Sequence, residues 1–234
     1  MLAISWSIKC AVGIPIFIDG GTGFGEPMHV ARFLSDCARM GIDGVFIEDQ
    51  IFPKRAHYLN TYQEHTISTE EFVDKIRWAR KGAGDSVFLL ARTDTFATES
   101  AEVAISRANA ALAAGADAVL AFPNNEAEAL EFPSKVEGPV IYNNLWGNRA
   151  GRPILTQSQA KSSGYCMLWD GHPLLFAAYE GMAQLLKGYA EFGACHMDEQ
   201  QAIETRKRIE AVMDFAALWE IERATVEKGT PGAL

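Results

Sequence analysis

The chain has 234 residues, of which 48% are hydrophobic and 22% charged, and its formal net charge is −9. This length is within the range of one α/β barrel, and the composition is that of a folded globular chain rather than a disordered one. The acidic balance argues against a nucleic-acid binding protein, and no apolar run approaches the roughly 20 residues that a membrane span needs.

The four cysteines of the chain are scattered and lack the spacing of a metal site. A chain of this size does not need disulfides to stabilise its core, so we expect reduced thiols and a cytoplasmic protein.

Apolar runs alternate with helix-like stretches along the chain. The predicted strands are 14–19, 44–48, 87–92, 118–122, 139–142 and 165–168. The segment 1–12 is predicted to be the end of a helix. The other predicted helices are 28–40, 69–81, 100–114, 126–132 and 173–189. Ser68 and Thr69, followed by Glu70 and Glu71, are typical of a helix start. This alternation predicts a parallel sheet with crossover helices.

Polar groups follow these runs where each predicted strand ends, as in the segments 18–25, 47–55 and 91–94. The carboxyl ends of parallel strands meet at one edge, where α/β enzymes place their active sites. The pattern therefore predicts one pocket and an enzyme.

Two further segments have distinct predicted roles. The long connection 51–68 is a candidate lid over the pocket. The segment 198–228 is predicted to be one long charged helix with periodic apolar residues, which favours contacts in a homo-oligomer. No linker is evident, so we expect one domain over 1–234.

Four segments, Ile18–Gly25, Ile47–Arg55, Ala91–Asp94 and Ala114–Asp117, occur in register and are followed by two asparagines at a strand end. Together they resemble the isocitrate lyase and phosphoenolpyruvate mutase superfamily, with methylisocitrate lyase among its members. The resemblance implies a TIM-type (β/α)8 barrel and a dimer or tetramer. It also implies a magnesium- or manganese-assisted site for small 2-oxo or 2-hydroxy acids.

The number of predicted strands differs from that of a closed barrel of this kind. Such a barrel has eight strands, whereas six are predicted here. Members of the superfamily carry about two more βα units before the position of Met1. We therefore expect a barrel that is incomplete at its amino-terminal side.

The resemblance assigns Asp19 and Glu48 to the metal, because two carboxylates at strand ends hold magnesium directly or through water. Gly21 stands where members usually have the aspartate that binds the metal directly. Gly20 and Gly21 are assigned to substrate binding. The alternative is that both acidic residues only cap strand ends. The glycine-rich turn lacks dinucleotide spacing, so no nucleotide cofactor is expected.

The resemblance gives Arg92 a role in gripping a substrate carboxylate, for which a planar guanidinium is suited. The alternative is a structural ion pair with Asp94, Asp19 or Glu48. Asn144 resembles the strand-end asparagine that contacts substrate in relatives, and its alternative is an ordinary turn residue.

The predicted lid carries the candidate catalytic residues Lys54, Arg55, His57 and Tyr58. In lyase members a cysteine stands at the position of Ala56 and transfers the proton, which a methyl group cannot do. His57 or Tyr58 is the candidate replacement, and the two cations are suited to balancing enolate or carboxylate charge. The alternative is a basic solvated loop.

The sequence thus predicts an enzyme that breaks a C–C bond in a small carboxylate through a metal-stabilised enolate. Within the same superfamily, P–C bond chemistry of a phosphonate mutase or hydrolase is the alternative. A further alternative is a catalytically impaired remnant that only binds a ligand or partner.

Overall fold

The computed structural model describes residues 1–54, 65–148, 151–194 and 197–228. The chain forms two compact units, Met1–His172 and Pro173–Leu234, and each is described by itself. The expectation of one domain over 1–234 stays a prediction. In the part of the chain that the structure describes, no helix has the length and apolar character needed to cross a membrane.

The first unit alternates strands with helices. Its strands are β1 (Phe17–Asp19), β2 (Gly44–Glu48), β3 (Phe88–Thr93), β4 (Ala118–Ala121), β5 (Val140–Asn144) and β6 (Met167–Asp170). Its helices are α1 (Leu2–Ala11), α2 (Pro27–Arg39), α3 (Thr69–Ala83), α4 (Thr95–Thr98), α5 (Ala101–Ala113), α6 (Glu126–Glu131) and α7 (Gln157–Ser163), with a short 3-10 helix at Phe132–Lys135. Each of the six apolar runs forms a strand, as predicted. Helix α3 begins with the predicted cap, a reciprocal pair between Ser68 and Glu71.

The second unit is helical, with α8 (Pro173–Phe192), α9 (Glu199–Val212) and α10 (Phe215–Ala224). The prediction of one helix over 198–228 is wrong. Asp214 adopts a left-handed backbone conformation with φ of 52°, which interrupts the helical hydrogen-bond ladder between α9 and α10. The apolar periodicity continues across this residue, so the sequence pattern does not reveal the break.

The six strands form one parallel sheet in chain order, β1 to β6. In a flat sheet the first and sixth strands would lie roughly 24 Å apart at the usual spacing. Instead, the rings of Phe17 on β1 and Trp169 on β6 have centroids 5.4 Å apart. The sheet is therefore strongly curved, and the predicted fold, an incomplete α/β barrel, is confirmed.

Alternate residues of each strand point to opposite faces of this curved sheet. The convex face packs beneath the helices with residues such as Ile47, Leu89 and Val119. The concave face carries a smaller apolar cluster that includes Leu90, Leu120 and Ile141. The next residues on the concave face, at the carboxyl ends of five strands, are Asp19, Glu48, Arg92, Phe122 and Asn143. We call these five residues the concave layer.

Candidate active site

Glu48 is the most buried residue of the concave layer, with 0% of its side chain exposed. Lys54 Nζ lies 2.7 Å from Oε1 and 3.0 Å from Oε2, and is aligned to donate a hydrogen bond to Oε2. Arg92 Nη1 lies 3.1 Å from Oε2. Burial raises the pKa of Glu48, although the two cations oppose this effect. Glu48 is thus a carboxylate held between two cations.

Arg92 connects two buried carboxylates. Its Nε and Nη2 each donate a hydrogen bond to Asp94 at 3.1 Å, while Nη1 faces Glu48. Although burial alone would lower the pKa of Arg92, the carboxylates of Asp94 and Glu48 raise it, so the guanidinium stays charged. A guanidinium carries five N–H groups, and this pairing leaves donors for a substrate. The ion-pair and substrate-binding interpretations of Arg92 are therefore compatible.

Asp94 is fixed from a second side by Gln50. The Nε2 of Gln50 donates a hydrogen bond of 2.6 Å to Oδ2 of Asp94. Burial alone would raise the pKa of Asp94, but the guanidinium of Arg92 and this hydrogen bond lower it. Asp94 is therefore ionised and holds Arg92 in place. Its position two residues after Arg92, on the same strand end, was the sequence signal for this pair.

Asp49 forms a second buried ion pair beside the first. It accepts a hydrogen bond from Thr93 Oγ1 at 2.6 Å and one from the backbone N–H of Asp94 at 3.0 Å. Arg107 Nη1 lies 3.1 Å from its Oδ2. Burial and the charge of Asp94 raise the pKa of Asp49 to about 6. This network ties the ends of β2 and β3 to helix α5, so the concave layer rests on a rigid support.

Lys75, on helix α3, is a functional candidate that sequence reasoning missed. Only 5% of it is exposed, and its Nζ donates a hydrogen bond of 2.9 Å to the carbonyl of Thr22. Burial lowers its pKa, while the charges of Asp49 and Glu48 oppose that shift. Lys75 therefore holds the glycine-rich turn after β1 against α3. A helical lysine usually marks a solvated face, which is why the pattern did not reveal it.

The glycine-rich turn brings Asp19 to the edge of the site. Asp19 is exposed, and its Oδ1 accepts a hydrogen bond of 2.7 Å from the backbone N–H of Gly21. The carbonyl of Gly21 in turn accepts a hydrogen bond of 2.9 Å from the backbone N–H of Glu48. The turn therefore joins the strand ends that carry the two predicted metal ligands.

Gly20 is required by close packing at this turn. A Cβ atom there would lie 2.6 Å from the side chain of Ile47 and 2.7 Å from the carbonyl oxygen of Phe46. We expect Gly20→Ala to lower the free energy of unfolding by about 1–3 kcal/mol, the usual cost of overpacking, as measured by urea denaturation. Gly13→Ala, where a Cβ has no neighbour within 4 Å, is the matched control and should leave stability unchanged. Equal stability of the two variants would show that close packing does not restrict position 20.

A magnesium ion would have few protein ligands in this site. Among the described residues, no group of three or more histidine, cysteine or acidic side chains is placed to hold a metal. Gly21 supplies no side-chain oxygen, and a Cβ atom built at this position would have no neighbouring atom within 4 Å. Asp19 and the imperfectly hydrogen-bonded Oε1 of Glu48 fit magnesium held through its waters and through a substrate. They do not fit an all-protein cage.

Asn144, the asparagine predicted to contact substrate, lies on the convex face. It is 2% exposed, and its amide bonds to the backbone of Leu155, with Oδ1 accepting at 2.9 Å and Nδ2 donating at 3.0 Å. Nδ2 also donates a hydrogen bond of 3.2 Å to Oδ1 of Asp170. Asn143 instead belongs to the concave layer, and no described donor reaches its buried Oδ1. The period of two from Ile141, a concave-face residue, was the signal that could have identified Asn143.

Three of the candidate catalytic residues, Arg55, His57 and Tyr58, lie outside the described residues. The structure brings Asp19, Glu48 and Arg92 to one end of the sheet, as the order of the strands predicts, and Lys54 joins them through its ion pair with Glu48. The roles of these residues stay predictions. Of these four side chains, the cations of Lys54 and Arg92 can bind an anion, and the carboxylates of Asp19 and Glu48 can bind a cation.

Comparison with known proteins gives one family and several relatives. Residues 1–190 match the family model described as phosphoenolpyruvate phosphomutase. The petal death protein of Dianthus caryophyllus is 31% identical over 214 residues, which are 91% of this chain and 66% of the relative. The 2-methylisocitrate lyase of Halalkalibacterium halodurans is 33% identical over 219 residues, which are 89% of this chain and 69% of the relative.

A solved structure of oxaloacetate acetylhydrolase with the inhibitor 3,3-difluorooxalacetate has a TM-score of 0.85 and 25% identity, covering 96% of this chain and 75% of that one. A second solved structure is that of 2,3-dimethylmalate lyase, described as a member of the PEP mutase/isocitrate lyase superfamily. It has a TM-score of 0.85 and 24% identity, and the match covers 100% of this chain and 77% of that one. This second likeness concerns the fold. The chain spans 66% of the petal death protein, slightly less than two thirds of its length.

Proposed function

Because the chain belongs to the phosphoenolpyruvate phosphomutase family, we propose that it is an enzyme that cleaves a C–C bond in a small 2-oxo or 2-hydroxy dicarboxylate through an enolate. The observation that carries this proposal is the fully buried Glu48 between Lys54 and Arg92. Lys54 and Arg92 are held at the carboxyl end of a parallel sheet by the buried carboxylates of Glu48 and Asp94, and the N–H groups that these ion pairs leave over are suited to binding an anion.

Each of these side chains has a proposed role. Arg92 binds a substrate carboxylate with the N–H groups that its ion pairs leave over, and Lys54 stabilises the negative charge of the enolate. Glu48 and Asp94 keep Arg92 oriented. A magnesium or manganese ion held through water by Asp19 and Glu48 would supply further stabilisation of the enolate oxygen.

The proton that a C–C cleavage requires needs a donor from the lid. Ala56 stands where lyases of the superfamily have a cysteine, and alanine has no acidic hydrogen. We propose His57 or Tyr58 for this transfer, with Arg55 balancing the charge of the leaving part. Histidine has the better matched pKa for transfer near neutral pH.

A substrate screen tests the proposal. The purified chain is incubated with 2-methylisocitrate, 2,3-dimethylmalate, oxaloacetate and phosphonopyruvate, with and without magnesium. C–C cleavage predicts a new 2-oxo acid or a carboxylate fragment from one of the first three. The Glu48→Gln variant is expected to lose this activity. If a folded sample binds oxalate but forms no product from any of these compounds, the protein only binds its ligand.

Phosphonate chemistry is the second candidate, and Ala56 is the observation that favours it. Phosphonate-converting members of the superfamily also lack the lyase cysteine. The carboxyvinyl-carboxyphosphonate phosphorylmutase of Arabidopsis thaliana is 33% identical over 219 residues, which are 91% of this chain and 62% of the relative. Release of phosphate from phosphonopyruvate, without cleavage of the dicarboxylates, would decide for this candidate.

The two asparagines at the end of β5 are expected to respond in opposite ways to substitution. Asn144→Ala should lower the free energy of unfolding by about 1–3 kcal/mol, because the backbone of Leu155 loses its partners. Asn143→Ala should leave stability unchanged and weaken oxalate binding about 10-fold, because Asn143 lies in the concave layer. Urea denaturation and calorimetric titration measure both effects. The reverse pattern would contradict the assignment of faces.

We also propose that the chain is a cytoplasmic homo-oligomer. No residue of helix α8 is buried in the second unit, and its exposed apolar side chains include Leu174, Tyr179 and Leu186. An apolar helix face of this kind favours a protein partner. Light scattering on the purified chain tests this proposal, and a monomer at every concentration would contradict it.

A further inference from the structure

A second arginine lies beside the concave layer. Arg152 belongs to the connection between β5 and α7, and its guanidinium carbon is 5.0 Å from the centroid of the Phe122 ring. The guanidinium carbon of Arg92 is 4.6 Å from the same centroid. Both cations therefore contact one aromatic ring of the concave layer, at the end of the sheet where the substrate is proposed to bind.

The backbone at Arg152 is fixed by polar side chains. Its N–H donates a hydrogen bond of 2.9 Å to Oδ1 of Asn148, and its carbonyl accepts one of 3.2 Å from Nδ2 of the same residue. The hydroxyl of Tyr142, on β5, donates a hydrogen bond of 2.7 Å to the carbonyl of Pro153. These contacts hold the connection against the end of β5, so the position of Arg152 is built into the fold.

The charge of Arg152 acts on groups of the site. Asp94 has a lowered pKa, and Arg152 adds to this effect after the larger influence of Arg92. Arg92 itself uses three of its nitrogens for Glu48 and Asp94. A substrate with two carboxylates therefore needs a cation in addition to Arg92 if both of its charges are to be paired.

We propose that Arg152 is a second anion-binding residue that makes the site selective for dianionic substrates. This inference rests on the proposed function, because it assumes that the concave layer binds a carboxylate. One carboxylate of the substrate contacts Arg92 and the other contacts Arg152. The chemical class is a short dicarboxylate whose two charges lie on either side of the reacting carbon.

The test compares two ligands that differ in the second carboxylate. The intact chain is titrated calorimetrically with 3,3-difluorooxaloacetate and with pyruvate, as the wild type and as Arg152→Gln. The affinity ratio of the two ligands should fall at least about 10-fold in the variant, because charged hydrogen bonds to one carboxylate are lost. The matched control is Arg32→Gln, which replaces an exposed side chain of α2. It should leave the affinity ratio of the two ligands unchanged.

The ratio separates a binding role from a structural one. A purely structural role of Arg152 would weaken both ligands alike, and an unchanged ratio overturns the inference. If Arg152→Gln does not fold, Arg152→Lys gives the same test, since it keeps the charge but loses two-point contact, and an unchanged ratio again overturns the inference. Failure of the folded wild type to bind either ligand would instead contradict the proposed function.

Discussion

Replacing Arg92 with methionine is expected to lower the free energy of unfolding by about 3–5 kcal/mol. The reason is the pair of carboxylates that Arg92 connects, Glu48 and Asp94, neither of which is exposed. Without the guanidinium, Asp94 loses both of its ion-pair hydrogen bonds, and Glu48 keeps only Lys54. Buried charge without compensation is costly, and protonation of these groups would recover only part of the loss. Urea denaturation at neutral pH measures the change.

Two further variants identify the cause of this loss. Arg39→Met removes an arginine of α2 that is 70% exposed and pairs with Asp36, and should change stability by no more than about 0.5 kcal/mol. Arg92→Lys keeps the charge but cannot reach both Glu48 and Asp94. Its free energy of unfolding should therefore lie between those of Arg92→Met and Arg39→Met. Unfolding of Arg92→Met at the same urea concentration as the wild type would show that the ion pairs contribute nothing.

The second large effect is a gain of metal binding. The magnesium effect is the ratio of the oxalate affinities measured with and without magnesium. In Gly21→Asp this ratio should be about 10-fold or more above that of the wild type, because the variant adds a carboxylate beside Asp19. The position has space, since a Cβ there meets no atom within 4 Å. Its φ of 53° lies in the left-handed region, which aspartate tolerates better than most residues. Titration with oxalate, with and without magnesium, gives the readout.

Gly21→Ala is the matched control for this variant. It imposes the same left-handed conformation on a residue with a Cβ, but adds no oxygen. Its oxalate affinity should depend on magnesium as that of the wild type does. An equal magnesium dependence in Gly21→Asp and Gly21→Ala would mean that the turn does not direct this position toward the metal.

The sequence predicted the features that local patterns encode. The six strands follow from apolar runs, and the start of α3 follows from the cap formed by Ser68 and Glu71, because neither depends on distant residues. The proximity of the strand ends that carry Glu48 and Arg92 followed from the parallel sheet, since adjacent strand ends must meet. These predictions needed no knowledge of how the faces of the sheet pack.

The remaining site residues depend on facts that a pattern does not contain. To choose between Asn143 and Asn144, one must know which alternate residues of β5 point to the concave face. An error of one residue moves the side chain to the opposite face. Lys75 is buried only because α3 packs over the glycine-rich turn. Arg152 lies in a connection without periodicity, so only its contact with Phe122 reveals it.

The most direct test of the site is calorimetric titration of the intact, folded chain with oxalate, which resembles an enolate and carries two negative charges. We expect saturable binding of one oxalate per chain, tightened by magnesium and weakened in Asn143→Ala. A folded sample that gives no binding heat, with magnesium or without it, would contradict the claim that Glu48, Lys54 and Arg92 form an anion site at the end of this sheet.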